Sequence, residues 1–107
     1  MKPNMKPKVF KTSEDGIKFF EDFAYWRASS MSDYYYNKLE KAWELNGEYK
    51  KKNEILWDMF WDWEMVSDEI MDDIHCLRIR YDLQTEEAKV EYLNEMLEWY
   101  DWYLQFN

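Results

Sequence analysis

Beyond residue 7 the chain has no proline, and its only glycines are Gly16 and Gly47. A hundred residues so poor in turn-forming chemistry exclude a sheet built from hairpins and favour helices. The single cysteine, Cys76, cannot close an internal disulfide and suits a reducing cytosol. The single histidine, His75, removes most histidine-based metal sites. No run of about 18 uncharged apolar residues exists, so no membrane span is expected. The start, Met1-Lys2-Pro3-Asn4-Met5-Lys6-Pro7-Lys8, is basic and lacks the apolar stretch of a signal peptide. There is no glycine-rich phosphate loop, no cysteine cluster and no convincing Ser/His/Asp set.

What is present is aromatic and acidic. The 107 residues include seven Trp, nine Tyr, six Phe and seven Met, with 35% charged residues and a formal net charge of -9. That apolar payload can build one domain without staples. The net charge argues against direct contact with nucleic acid or an anionic membrane. The charge is also divided unevenly. Residues 1–53 carry 11 Lys/Arg and 8 Asp/Glu, whereas residues 54–107 carry 3 and 15. The expected protein is soluble and cytoplasmic.

The patterning predicts an all-α fold: a compact bundle of about four helices, one of them long and central, with a flexible N-terminal arm. The arm covers residues 1–12, and a single helical domain covers residues 13–107. Thr12 or Ser13 caps a first helix that runs to about Ser29 and presents Ile17, Phe19, Phe20, Phe23, Ala24 and Trp26 on one face. Ser30 or Ser32 caps a second, from about Asp33 to Asn46, with Tyr35, Leu39, Ala42 and Trp43 apolar and Gly47 as its stop. From Glu48 to Leu83 nothing interrupts a helix of about 30 residues. Within it Leu56, Met59, Phe60, Trp63, Val66, Ile70, Met71, Ile74, Leu77 and Tyr81 fall in one arc of about 140°. Thr85 caps a fourth helix with a wide apolar arc, in which Val90, Leu93, Leu97, Tyr100 and Leu104 lie to one side. Tyr92, Met96, Trp99 and Tyr103 lie to the other.

Two surfaces remain once this core is assigned. On the fourth helix Glu87, Glu91, Glu95, Glu98 and Asp101 share a face, with Asn94, Trp102 and Gln105 among them. Like charges four residues apart oppose helix formation by a few tenths of a kcal/mol per pair. The stripe is either an ordinary solvated face or an electrostatic site for a basic protein, and Trp102 favours the second because Trp stacks on Arg and anchors interfaces. On the third helix Trp57, Trp61 and Met65 lie off the main arc, among Asp58, Asp62, Glu64, Asp68 and Asp72. Either the first helix or the arm covers these tryptophans, or they face a partner, a second copy included.

Catalysis is the weaker reading, and the chain is expected not to be an enzyme and to need no cofactor or metal. His75 and Cys76 diverge by about 100° on a helix and make a poor nucleophile–base pair. Glu69-x-x-Asp72, Asp72-x-x-His75 and Glu95-x-x-Glu98 are spacings found in carboxylate-metal bundles, but the paired motif on a second helix is incomplete. A basic helix-turn-helix regulator is disfavoured because helices three and four are the most acidic parts.

A short chain of acidic helices studded with Trp, Tyr and Met, with few glycines, resembles small phage-encoded inhibitors, among them DNA-mimic anti-restriction and anti-CRISPR proteins. The resemblance lies in the composition and style of residues 54–107, without a shared motif. It implies a protein that occupies the nucleic-acid-binding surface of a host nuclease or defence complex, in the host cytoplasm. The rival expectation is a regulatory or antitoxin-like module that buries Trp57, Trp61 and Trp102 against its partner.

Overall fold

The computed structural model describes residues 9–46 and 54–105 (for 42–46, the backbone only). Apart from residues 9–12 and short connections the described chain is helical, with no strand among these residues. α1 (Ser13–Asp22) continues through a π-helical segment, Phe23–Ala28, directly into α2 (Ser29–Asn46). α3 spans Glu54–Ile79, a 3-10 turn follows at Tyr81–Leu83, and α4 (Glu86–Trp99) leads into the short α5 (Asp101–Leu104).

The caps follow the sequence. Thr12 accepts from the Asp15 amide and Thr85 from the Ala88 amide, each satisfying a first-turn donor. Glu14 and Asp15 in α1, and Glu86 and Glu87 in α4, place negative charge at positive helix ends.

The break expected between Ser29 and Ser32 does not occur. Serine stops a helix only where its hydroxyl competes for nearby backbone groups. Here those hydroxyls are engaged otherwise. Ser29 Oγ donates to the Ala24 carbonyl at 3.3 Å, and Ser67 Oγ from α3 reaches the same carbonyl at 3.2 Å. Buried Ser32 donates to Glu64 on α3. Two serine hydroxyls thus hold the Ala24 carbonyl inside the wide π turn. The insertion also changes the helical phase, so Trp26 is 72% exposed rather than on the core face.

α1 with its π-helical continuation, α3 from Trp63 onward, and α4 enclose the main core. Phe20, Phe23, Trp63, Ile70, Ile74, Leu77, Leu93 and Met96 are its most enclosed members. The Trp63 ring meets Phe23 on one side and Tyr103 on the other. Gly16 lets α1 approach α4: a Cβ there would lie 2.7 Å from Leu93 Cδ1. α2 runs antiparallel to the N-terminal half of α3, linked by Ser32–Glu64 and by Tyr36 against Phe60 at 5.6 Å. Leu39 is buried there, yet outside the contiguous core. The result is a bundle with a two-helix prong, 54 × 28 × 18 Å overall.

Two other expectations change. α3 ends at Ile79, where Arg80 turns extended (φ -68°, ψ 128°), so Tyr81 leaves the apolar arc and is 96% exposed. Of the arm expected over 1–12, residues 1–8 lie outside the described residues, as does Gly47. The remainder is docked. Phe10 is buried against Phe19 and Phe20, and its backbone is clamped by Asn94, which accepts from the Phe10 amide at 2.6 Å and donates to its carbonyl at 3.2 Å.

Candidate functional site

α4 is amphipathic because Leu93, Met96, Leu97 and Tyr100 take the core side, which turns its glutamates outward. Glu87, Glu91, Glu95 and Glu98 are all exposed, and all four line one shallow groove of about 540 Å³ with Lys11, Glu86, Val90 and Asn94. Asp101 and Trp102 are not in it. They follow the irregular turn at Tyr100, where Asp101 accepts from Gln105 at 2.9 Å and Trp102 packs edge-on against Tyr103. The stripe is therefore four glutamates along about 17 Å of helix rather than five carboxylates and a tryptophan.

Glu86 is fixed, unlike the other groove glutamates. Its two oxygens accept from Ser13 Oγ at 2.6 Å and the Ser13 amide at 2.7 Å, and these bonds hold its carboxyl below the ordinary carboxylate range. It ties α1 to α4 at one end of the groove.

A second groove of about 460 Å³ lies on the opposite flank of α4, lined by Arg80, Asp82, Leu83, Ala88, Glu91, Tyr92, Glu95 and Trp99. Glu91 and Glu95 border both grooves and so form a ridge between them. Trp99, half-exposed, stands edge-on to Tyr92 at 5.3 Å. The aromatic beside the carboxylate ridge is thus Trp99, not Trp102. Sequence reasoning placed Trp99 in the apolar arc; its spacing of four and eight residues from Glu95 and Glu91 was the available signal. Arg80 is paired with Asp82 at 2.6 Å, and its guanidinium lies 5.8 Å from the Tyr92 ring centre.

The second predicted surface sits on the prong. Trp57 is 39% and Trp61 47% exposed, and Met65 extends the same row. The two indoles meet edge-to-face at 5.7 Å, and both touch Phe60. Both indoles are thus open to solvent over more than a third of their surface. Asp58 and Asp62 flank them and are exposed.

Asp73, not singled out by pattern, is the most engaged carboxylate of α3. It accepts from Tyr92 Oη at 3.0 Å and Tyr100 Oη at 2.5 Å. Burial, then the bond to Asp73, pushes Tyr92 up to about 12 and raises Tyr100 further. Burial and then the charge of Asp62 also raise Tyr103. Tyr92 and Tyr100, held neutral in this way, act as structural donors. Half-buried Cys76 and exposed His75 are neighbours along α3. Among the described residues no group of three His, Cys, Asp or Glu is gathered to hold a metal ion, and no helix is long and apolar enough to cross a membrane.

No protein-family model, curated protein or solved structure matches the chain.

Proposed function

We propose that this chain is a binding protein that engages a basic surface of a nucleic-acid-handling protein through the glutamates of α4, and so inhibits it. The observation that carries the reading is the convergence of Glu87, Glu91, Glu95 and Glu98 on one groove, with Glu91 and Glu95 on a ridge beside Trp99. Carboxylates so placed meet Lys and Arg that otherwise track phosphates, and an exposed indole stacks on a guanidinium. Four carboxylates over about 17 Å are sparser than the phosphates of one B-form strand, about 3.4 Å apart. Local charge complementarity, rather than duplex mimicry, is the physical basis. Association is steered by charge and weakens with salt. A small phage-encoded inhibitor acting in the host cytoplasm, of the anti-CRISPR or anti-restriction type, is the biological role that suits such a surface.

The rival reading is an interaction module that binds through the prong, and the exposure of Trp57, Trp61 and Met65 supports it. One experiment separates the two. Proteins captured on the immobilised chain are challenged with duplex DNA, and capture is repeated with Glu91, Glu95 and Glu98 replaced by Gln. Release by DNA and loss of capture by the Gln variant support the inhibitor. Capture indifferent to both, but abolished by Trp57→Ala with Trp61→Ala, supports the module.

A further inference from the structure

The rings of Tyr92 and Trp99 come together although their positions are seven residues, or about 10 Å of helix, apart. Their centres lie 5.3 Å from each other and their planes stand at 90°. The pair makes an aromatic corner in the groove of about 460 Å³ on this flank of α4. One wall is fixed, because Tyr92 Oη donates to Asp73. The other is open to solvent, with Trp99 53% exposed. Glu95 lies between them along the helix, three residues after Tyr92 and four before Trp99, and borders the same groove.

Three sources of negative potential converge on this corner. The ring faces carry the negative part of the aromatic quadrupole. Glu95 and, one turn earlier, Glu91 add full charges. The third source is the C-terminal end of α4, which closes at Trp99 with no basic residue in its last turn. The groove already admits a guanidinium from the Tyr92 side. Arg80, held by Asp82 through Nε at 3.0 Å and Nη2 at 2.6 Å, sets its guanidinium 5.8 Å from the Tyr92 ring centre. Its charge is matched by Asp82, so the potential of Glu91 and Glu95 remains. A planar guanidinium suits such a corner better than an ammonium, because it stacks flat on an indole while its N–H fork meets a carboxylate.

We propose that Trp99, Tyr92 and Glu95 form a receptor for one arginine side chain of the partner protein, stacked on the Trp99 indole and hydrogen-bonded to Glu95. The receptor rests on the reading of α4 as a surface for a basic protein, and names the residue type that this surface selects. Arginine is preferred to lysine there, whereas the glutamates of the first groove attract either cation.

N-acetylarginine amide, titrated into the full-length chain, is the probe. The indole N–H resonance of Trp99, assigned by its loss in Trp99→Phe, is the readout. It should shift saturably, with an affinity about two- to fivefold above that for N-acetyllysine amide, the margin of an exposed cation–π contact. Glu95→Gln should weaken arginine binding by about the same factor, the worth of an exposed ion pair. Glu87→Gln makes the same change in net charge outside this groove and should leave the affinity level. No saturable shift at Trp99, equal shifts at Trp57 and Trp61, equal affinity for the lysine amide, or equal weakening by Glu87→Gln each overturns the receptor. Absence of the Trp99 shift, with protein capture still dependent on Glu91, Glu95 and Glu98, would remove the receptor and leave the binding surface intact. Arginine binding at Trp99, with capture indifferent to those glutamates, would instead retire the inhibitor reading and keep the receptor.

Discussion

Tyr100 donates its phenolic hydroxyl to Asp73 Oδ2 at 2.5 Å, tying the end of α4 to the middle of α3. Tyr92 donates to the other oxygen of the same carboxylate. Tyr100 is buried while Tyr92 is only partly so. Tyr100→Phe should therefore destabilise more than Tyr92→Phe, by about 1–3 kcal/mol, because a bond to a charged group is lost where water replaces it poorly. Urea denaturation of the two variants measures this, and equal effects would count against it.

The same phenols set an alkaline limit. Tyr92 titrates near 10 when unfolded and at about 12 when folded. Its contribution is thus fully present below pH 10 and is lost as pH rises toward 12, because the unfolded phenol ionises first. Tyr100, also raised, acts in the same direction. The denaturation midpoint should stay level with respect to these groups up to pH 10 and fall beyond it, and Tyr92→Phe should remove part of the fall.

Gly16→Ala should lower stability although it sits in a helix. Alanine would gain up to about 1 kcal/mol in helix propensity. Its Cβ, however, would meet Leu93 Cδ1 at 2.7 Å and Leu93 Cβ at 3.1 Å in the closed α1–α4 contact. Overpacking of this kind costs about 1–3 kcal/mol. A thermal melt should show a drop of several degrees, and combining the change with Leu93→Ala should cost less than the sum of the two single losses, because the truncated side chain no longer meets the new Cβ.

Replacing Glu91, Glu95 and Glu98 by Gln should leave the fold intact and raise its melting temperature slightly. Glu87, Glu91 and Glu95 succeed one another at four-residue intervals, each pair opposing the helix by a few tenths of a kcal/mol. The gain should shrink as salt is added. Charge that lowers the stability of its own helix is the trade that the proposed binding role implies.

How far the sequence reveals this molecule depends on the kind of signal. Thr12, Thr85 and the Trp63–Leu77 arc were legible because capping and helical periodicity are local properties. The Ser29–Ser32 region misled because a serine cap and a serine hydroxyl bonded across the bundle have the same spelling; only Glu64 and the Ala24 carbonyl distinguish them. Phe10 reads as part of a loose arm because its clamp, Asn94, lies 84 residues away. The glutamate groove was legible as a face of one helix, but its lysine came from a different element. Asp73 could not be told from Asp72 without knowing which tyrosines cross α3. The pattern put Glu87, Glu91, Glu95 and Glu98 on one face, and the fold sets Trp99 rather than Trp102 beside Glu91 and Glu95.

The prong has a further consequence for how the molecule comes apart. Leu39 is buried between α2 and α3 outside the cluster formed by Phe20, Trp63 and Leu93, which reaches the prong through partly buried Met31, Tyr35 and Met59, so the prong beyond those contacts should open at lower free energy than the core. Amide protons of Tyr36–Lys41 and Leu56–Asp58 should exchange with solvent well before those of α4. A ligand seated on Trp57 and Trp61 would protect the prong alone, and a reporter placed on Trp99 would register nothing.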